Sequence, residues 1–544
     1  MNYFVNTQNE GSTLLVTPPA KSKPLPGASK RHAFLVAAGI FLSRIAGLIR
    51  ERVFAHYFGN SDAADAFKAA FRIPNFLQNL FGEGVLSASF IPVYAGLLAR
   101  EDEEEARRTA GAVASLLALT TSVIVLIGVL ATPYLIDVIV WGFHGEKRQL
   151  TIRLVQILFP GAGLLVLSAW CLGILNSHRR FFLSYTAPVI WNVAMIATLW
   201  GFGGRFAQYP LAIILAWASV VGCGLQVAVQ LPAVLRLLHG LHLSMNYASG
   251  NVKTVVRNFG PVFIGRGVVQ ISGYVDAWLA SGLGTGALSA FSYAQILFTL
   301  PVSLFGMSVS AAELPHMSGA IGSEDEVAEA LRSRLNPGLR QIAFFVLPSV
   351  VAFLVLGDVI VAAVYQSGIF TRSDTLYVWG ILAGATVGLL ASTLGRLYSS
   401  AYYALRDTRT PLRFAIVRVI LTTILGYLFA LPLPRMLGIN PRWGAAGLAV
   451  SAGIASWVEF TLLRRTLNRR IGTTGLSQKY LAKLWAAAIP AAAVGWTIRH
   501  FWGHHSPILL ACLVLLPYGI VYLGMTVLLG VSEAESFMRR LHSR

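Results

Sequence analysis

Residues 43–83 combine an apolar background with charged side chains that cannot all face lipid. A charged group at the centre of a membrane helix costs about 2.5–3.5 kcal/mol even on lenient insertion scales. The arginines in this segment have the chemistry of phosphate recognition, because a guanidinium presents paired N–H donors that match phosphate or pyrophosphate oxygens. We therefore expect these side chains to line a polar interior or to lie at the membrane surface.

From residue 65 onward, the charged groups fall on one face of a predicted second helix, 63–98. The stripe consists of Asp65, Lys68, Arg72, Asn79 and Glu83, with Asn75 at its edge. We expect Asp65 to pair with Lys68 or Arg72, and Pro74 to kink the helix. A membrane helix with one charged stripe lines something polar. A structural ladder of salt bridges between helices is the alternative interpretation.

A predicted first helix, 33–56, adds charged groups close to this stripe. Arg44 and Glu51 are seven residues apart and therefore share a helix face. Arg50 lies about 120° around the helix from Arg44, so both line one cavity only if that cavity is wide. A position of Arg50 at the membrane surface is the alternative.

The second half of the chain carries fewer charged groups within its apolar runs. Arg266 is the predicted counterpart of Arg44 across a cavity. Asp276 and Glu459 are candidates for holding a coupling ion. Arg396 and Arg418 are candidates for buried charge, and for each of these groups a structural pair is an equally good interpretation.

The composition is that of a polytopic helical membrane protein. The chain has 544 residues, of which 55% are hydrophobic and 12% charged, whereas soluble domains have about 25% charged residues. The net charge of +19 is compatible with nucleic-acid binding, but the basic residues lie in short loops between apolar runs. That arrangement is typical of cytoplasmic loops, so no nucleic-acid partner is expected. The three cysteines lie singly and predict neither disulfide nor zinc site.

The apolar runs predict about fourteen membrane helices, and the loop charges predict their orientation. With both termini in the cytoplasm, 27 basic residues fall on the inner side and 9 on the outer side, as the positive-inside rule requires. Residues 1–32 are expected to form a flexible cytoplasmic tail rather than a cleaved signal peptide.

An internal repeat with an offset of 223 residues divides the predicted helices into two lobes. The matched pairs include Gly59 with Gly282, Pro92 with Pro315, Gly96 with Gly319 and Pro188 with Pro411. Because the offset spans an even number of helices, the lobes would have the same orientation, as in some transporters. The predicted units are an N-lobe at 33–240, a C-lobe at 241–470, and two further helices with a cytoplasmic end at 471–544.

Several segments resemble the MurJ (MviN) family of lipid II flippases, within the multidrug/oligosaccharidyl-lipid/polysaccharide exporter superfamily. They are SRIAGLIRE, DAFKAAFRIPNFLQNLFGEG, FIPVY, and ALRDTRTP at 404–411. The resemblance implies two six-helix lobes plus two C-terminal helices that form a hydrophobic groove. It also implies transport of undecaprenyl-pyrophosphate-linked disaccharide-pentapeptide from the inner to the outer leaflet of the bacterial cytoplasmic membrane.

The resemblance implies substrate-binding roles for the residues that match the family's motifs. These are Ser43, Arg44, Arg50, Asp65, Asn75 and Glu83. Two family arginines are replaced here, by Gln78 and Ile296, and Arg72 and Arg266 are candidates to compensate. These departures leave the exact lipid-linked substrate open.

The function expected from these observations is flipping of lipid II by alternating access, by a monomer without a cofactor. Transport could be coupled to the membrane potential or to a monovalent ion, and the sequence does not decide between them. It also leaves open whether the two C-terminal helices hold the lipid tail or only pack against the rest of the protein. Export of another polyprenyl-linked glycan or an amphipathic compound is the first alternative. A membrane enzyme acting on polyprenyl phosphates is less well supported, because the sequence contains no paired-aspartate motif, P-loop or acid–histidine cluster at plausible spacing. A channel or scaffold is a further alternative.

Overall fold

A computed structural model describes residues 26–240, 249–320, 322–502 and 506–542. In these residues the regular secondary structure is helical, as expected where lipid leaves every backbone polar group to be satisfied within the chain. The helices of the first half are α1 (Pro26–Phe58), α2 (Asp62–Phe81), α3 (Glu83–Ser89), α4 (Ile91–Ala99), α5 (Glu103–Ile139), α6 (Gly145–Ser177), α7 (Phe181–Phe202) and α8 (Gln208–Leu237).

The second half contains a similar succession of long helices followed by three more. The first group is α9 (Gly250–Ser281), α10 (Ala287–Pro301), a π-helical turn (Val302–Met307), α11 (Ser308–Ser318), α12 (Glu324–Val355), α13 (Gly357–Tyr365), α14 (Arg372–Thr386), α15 (Leu389–Ala404), α16 (Arg409–Ala430), α17 (Pro432–Met436), a 3₁₀ turn (Pro441–Trp443) and α18 (Gly444–Ile471). The last three are α19 (Gln478–Trp502), α20 (Pro507–Leu528) and α21 (Ser532–His542).

Length and composition identify eleven membrane-spanning helical segments within the described residues, or twelve if α14 and α15, which are bent by 45°, form one span. The set leaves out α1 and α9, which are 33 and 32 residues long. The fold is thus the predicted all-helical membrane fold, while the exact count of fourteen spans stays a prediction. Helix α1 begins at Pro26, inside the segment predicted as a tail; residues 1–25 lie outside the described residues.

The second helix of each half is interrupted at a matching place. In the first half, α2 continues through Pro74 to Phe81, and the kink expected at that proline stays a prediction. The chain is interrupted at Gly82, and the position 223 residues later falls in the π-helical turn Val302–Met307. The first helix of each half also ends just before a matched glycine, Gly59 or Gly282. The shared breaks are what an internal repeat predicts.

The helices of each half pack mainly against others of the same half. In the first half, α6 packs against α2, α5 and α8, and α7 packs against α1 and α8, while in the second half α18 packs against α14, α15 and α16. The pair α19–α20 packs on α12 and α13. Buried Asp358 of α13 pairs with Arg372 at 2.6 Å and with Arg499 of α19 at 2.8 Å, which fastens that pair of helices to the second half.

Candidate functional site

Arg44 of α1 reaches from the first half of the chain to the second. Its Nη1 donates a hydrogen bond to Ser303 Oγ at 2.6 Å, and Ser303 belongs to the π-helical turn after α10. Arg44 is exposed and its neighbour Ser43 is half-buried. A guanidinium has five N–H donors, so this contact leaves most of them free for an anionic ligand.

Glu51 is buried between two cations, Arg50 and Lys68. Its carboxylate accepts hydrogen bonds from Arg50 Nη2 at 2.7 Å and from Lys68 Nζ. Arg50 also lies over the ring of Trp191, 4.6 Å from the ring centroid. The predicted pairing of Lys68 with Asp65 is therefore wrong: Lys68 points back at the first helix, because α1 and not the rest of the stripe supplies the nearest carboxylate.

Asp65 joins the two halves at the end of the bundle that the loop charges predict to face outward, which we call the outer end. Its side chain is fully buried. It accepts hydrogen bonds from the backbone N–H groups of Gly286 at 2.7 Å and Ser289 at 2.8 Å, and from Lys147 Nζ at 2.7 Å. Asp65 thus caps the N-terminus of α10, where a carboxylate is favoured by the unpaired N–H groups and the helix dipole. It does not pair with Arg72.

The residues beside Asp65 extend this connection across the seam between the halves. Asp62 accepts from Lys147 at 2.8 Å and from Thr285 Oγ1 at 2.9 Å. Asp62 and Thr285 are 223 residues apart, which is the repeat offset. Two positions related by the predicted repeat are therefore in contact where the N-termini of α2 and α10 meet.

Further hydrogen bonds also join the two halves at the outer end. Arg52 Nη1 donates to the carbonyl oxygens of Ala363 and Val364, at 2.5 and 3.1 Å. Asn60 Nδ2 donates to Asp374 Oδ1 at 3.1 Å. We call Asp62, Asp65, Lys147 and their partners on Thr285, Gly286 and Ser289 the outer lock.

Arg72 is held at the crossing of α2 and α9. Its Nη1 donates to the carbonyl oxygen of Gly273 at 2.6 Å, and its own carbonyl accepts from the Tyr274 hydroxyl at 3.1 Å. Of the remaining predicted residues on this stripe, Asn75 is half-buried on α2. Glu83 begins α3 rather than continuing α2, which takes it off the predicted face.

The positions where the family arginines are replaced lie within helices. Gln78 of α2 and Ile296 of α10 are both half-buried. The side chains of Glu83 and of Arg266, the latter in α9, lie outside the part of the structure that is described.

Asp276 and Glu459 lie in a second charged cluster, inside the second half. Arg418 Nε lies 3.3 Å from Glu459 Oε2. Asp276, Arg396 and Arg418 line a cavity of about 200 Å³. The electrostatic neighbours of Asp276 are Arg72 and Arg418, which are both cationic. The structure therefore surrounds both candidate ion-coupling carboxylates with arginine.

Two apolar surfaces are large enough to contact a hydrocarbon chain. Helices α19 and α20 expose large apolar side chains, including Ile489, Leu516 and Ile520. A separate cavity of about 680 Å³ lies between α2, α5, α6 and α9 and is lined by apolar and aromatic side chains such as Phe76 and Trp278. Tyr274, which bonds to Arg72, also lines it.

The sequence did not single out Lys147 or Ser303 as members of the site. Lys147 is one of several basic residues in predicted outer segments, and Ser303 is a serine in an apolar run. The repeat offset carried a usable signal for the partners of Asp65, because 65 plus 223 falls between Gly286 and Ser289. No comparable signal marked Lys147.

Comparison with known proteins agrees with this architecture along nearly the whole chain. The family model described as lipid II flippase MurJ matches residues 54–516. Lipid II flippase MurJ of Burkholderia cenocepacia is 30% identical over 94% of this chain and 99% of its own length. A solved structure of lipid II flippase MurJ in an inward closed conformation superposes with a TM-score of 0.75 and 25% identity, covering 91% of this chain and 98% of the other.

A more distant structural relative shares the fold alone. An inward-facing multidrug resistance transporter of the MATE family, in the MOP superfamily, superposes with a TM-score of 0.65 at 17% identity and covers 81% of this chain. The family match over residues 54–516, the similar sequences and the similar structure point to one assignment. The chain belongs to the lipid II flippase MurJ family.

Proposed function

We propose that this protein moves lipid II, the polyprenyl-pyrophosphate-linked precursor of the cell wall, from the inner to the outer leaflet of the bacterial cytoplasmic membrane. The observation that carries the proposal is the match to lipid II flippases across nearly the full length of both chains. The protein acts as a transporter and not as an enzyme, as a monomer without a cofactor, and with both termini in the cytoplasm.

Arg44 is the first contact for the pyrophosphate in this proposal. It lies at the seam of the two halves and already donates to an oxygen of the opposite half, Ser303 Oγ. A pyrophosphate oxygen replaces that neutral hydroxyl with a charged acceptor, and a guanidinium can bind a phosphate group through two parallel N–H donors. Substrate binding thus exchanges a weak contact across the seam for a stronger one. Ser43, Arg50 and Asn75 contribute to the same headgroup site, and the hydrocarbon tail remains on an apolar surface of the bundle.

The outer lock keeps the outer end closed while the substrate enters from the inner side. Asp65 holds Gly286 and Ser289 of the second half, so the lobes separate at the outer end only if these hydrogen bonds break. Rocking of the lobes about the seam then opens the outer end and releases the headgroup. The lobes comprise 33–240 and 241–470, and residues 471–544 add the helices that flank the C-lobe.

A second candidate substrate is another polyprenyl-linked glycan or an amphipathic compound. It is favoured by Gln78 and Ile296, where the family resemblance leads us to expect arginine, and by the engagement of Arg72 with Gly273 at 2.6 Å. Fewer free cations near the seam reduce the attraction for a doubly charged pyrophosphate. Arg266 is the remaining candidate to compensate.

Rescue of cells depleted of their own lipid II flippase tests the proposal. We expect the parent chain to restore growth and lipid II translocation, Arg44→Ala to abolish both at equal expression, and Arg44→Lys to be strongly impaired, because lysine lacks the paired donors. Arg435→Ala, which removes an exposed arginine of α17, is the matched control and should rescue fully. Failure of the parent chain to rescue would favour the other glycan-linked cargo, and full rescue by Arg44→Ala would remove Arg44 from the site.

A further inference from the structure

The apolar cavity of about 680 Å³ lies where the two halves of the chain meet. Helices α2, α5 and α6 of the first half form most of its wall, and α9 of the second half contributes Tyr274, Val275 and Trp278. On α5 the lining runs over residues 124–139, which is roughly 22 Å of helix at 1.5 Å per residue. The hydrocarbon of one leaflet is about 15 Å thick, so the cavity is long enough for an acyl chain.

The cavity opens on the surface of the helix bundle beside α5. Its lining residues Ile127, Val138 and Trp278 are 58%, 70% and 37% exposed. Helix α5 is one of the segments identified as membrane-spanning. The exposed side chains around the opening therefore face hydrocarbon and not water.

Hydrogen bonds join α5 to the second half on both sides of the cavity. Toward the outer end, Trp141 Nε1, just after α5, donates to the carbonyl oxygen of Trp278 at 3.1 Å. Toward the inner end, Glu105 Oε1 at the start of α5 accepts from Ser249 Oγ at 3.1 Å and from Asn251 Nδ2 at 2.9 Å. A ligand therefore reaches the cavity sideways from the bilayer and not along the helices from water.

The lining of the cavity is suited to hydrocarbon. None of the lining residues that the structure describes is charged, and their polar side-chain groups are the Tyr274 hydroxyl and the Trp278 indole N–H. The Tyr274 hydroxyl already donates to the carbonyl oxygen of Arg72 at 3.1 Å. A polar ligand would lose hydration here without gaining partners. Apolar cavities stay dry and take apolar ligands, and a hydrocarbon chain supplies the contacts that side chains facing an empty space lack.

The headgroup contact proposed for the carried lipid lies on other elements. Arg44 belongs to α1 and Ser303 to the π-helical turn, and neither element is among the described lining of this cavity. A lipid held at Arg44 is thus not placed to insert its own tail here. Membrane phospholipids, in contrast, surround the exposed face of α5 at the opening.

From these observations we propose that the cavity binds one acyl chain of a membrane phospholipid, which enters beside α5 and packs between the two halves. The site does not depend on which lipid-linked cargo the protein carries. Because its walls belong to both halves, the chain has to leave or shift when the halves separate along α5 and α9. A phospholipid chain is therefore part of the closed seam.

Photo-crosslinking of the full-length protein in nanodiscs tests the occupant. Phe76→p-benzoylphenylalanine places a photoreactive group on a half-buried lining residue of α2. The bilayer contains phosphatidylethanolamine, phosphatidylglycerol and a minor amount of undecaprenyl pyrophosphate. We expect mass spectrometry to find a phospholipid adduct on the labelled peptide. Absence of any lipid adduct would overturn the site, and a predominant polyprenyl adduct would overturn the assignment to phospholipid.

Filling the cavity separates a chain inside it from lipid around the protein. Ala131→Trp enlarges a half-buried lining residue of α5 and should lower the adduct yield at Phe76 about tenfold, because overfilling a packed space is unfavourable by at least that factor. Leu130→Trp is the matched control: the neighbouring residue is 70% exposed and outside the lining, so the yield should stay at that of the parent. Equal yields in the two variants would refute a chain held in the cavity.

A further variant leaves the interior of the protein unchanged. Val138→Trp enlarges an exposed side chain at the opening, where the surrounding lipid can adjust to the added ring, and should also lower the yield at Phe76. An unchanged yield would contradict entry beside α5. Ile124→p-benzoylphenylalanine, at the other end of the α5 lining, should give the same phospholipid adduct, and its absence there would contradict a chain that extends along the cavity.

Discussion

Asp65→Asn should open the outer end of the bundle while leaving the fold intact. The substitution keeps the shape of the side chain but removes its charge, and it turns one of its two acceptor oxygens into a donor. That donor then faces the N–H groups and the ammonium group that Asp65 now binds at 2.7–2.8 Å. Lys147 keeps one carboxylate, because Asp62 lies 2.8 Å from it.

The loss of stability of the closed outer end follows from the ion pair and hydrogen bonds that the substitution at Asp65 removes. Removing one partner of a buried ion pair costs about 3–5 kcal/mol when the remaining charge is left alone. Asp62 compensates part of this, so we expect the closed outer end to lose about 2–3 kcal/mol, close to one or two charge-assisted hydrogen bonds. At 1.4 kcal/mol per factor of ten, the open fraction rises roughly 30- to 150-fold.

Labelling of a buried thiol measures this opening. Ser289→Cys places a thiol at a residue that is fully buried in the outer lock. Cys512 is exposed and is replaced by serine, whereas Cys171 and Cys223 are buried and remain. In intact cells, a membrane-impermeant thiol reagent should label the protein with Ser289→Cys and Cys512→Ser slowly; this protein is the background for the comparison. Addition of Asp65→Asn to it should raise the labelling rate roughly 30- to 150-fold, as the open fraction does.

Asp137→Asn is the matched control. Asp137 also pairs with a basic side chain, Arg148, at 2.6 and 2.9 Å, but both residues belong to the first half and both are partly exposed. This variant should label at the rate of the background. If Asp65→Asn labels no faster than Asp137→Asn, the hydrogen bonds of Asp65 do not hold the outer end closed, and the role proposed for the outer lock is wrong.

Three further predictions concern stability and closure. Gly286→Ala should weaken the outer lock by at least the 1–2 kcal/mol typical of a left-handed residue, because φ is +79° and a Cβ would collide with the backbone oxygen of Asn60 in the other half; faster labelling in the thiol assay checks this. Glu51→Gln should lower Tm by leaving the Lys68 charge short of its carboxylate, at a cost of about 3–5 kcal/mol, and a second change, Lys68→Met, should restore much of the loss. Arg499→Gln should loosen α19, because it removes the 2.8 Å ion pair between Arg499 and buried Asp358. Limited proteolysis should then cleave the chain earlier between α18 and α20, and an unchanged digestion pattern would contradict that role.

The sequence was informative about features that depend on neighbouring residues. The apolar runs and the low charge content predicted the all-helical membrane fold, because a span of lipid sets both length and composition. The helical spacing of the charged stripe placed Asp65, Lys68 and Arg72 correctly on α2, whereas Glu83 begins α3. The sequence did not predict the interruption at Gly82, and the kink expected at Pro74 stays a prediction.

The partners of the charged groups were not predictable from spacing. Asp65, Lys68 and Arg72 share a face, yet they bind to three different places: the N-terminus of α10, Glu51 of α1 and a carbonyl of α9. A stripe along one helix meets several neighbouring helices over its length, so residues with the same spacing can face different partners. The repeat offset gave part of the answer for Asp65, since position 288 lies between its partners Gly286 and Ser289.

By itself, the sequence identified the class of protein, its predicted repeat, the arginine-rich segment and the family it resembles. Each of these follows from the composition, the periodicity or the motifs of the sequence. Only the tertiary structure decided that Arg44 contacts Ser303, which is 259 residues away, and that Asp65 closes the outer end with Lys147. It also decided that Asp276 and Glu459 lie among arginines. The physical reason is that a charge within a membrane protein takes its role from the groups that neutralise it, and helix packing brings those groups from distant parts of the chain.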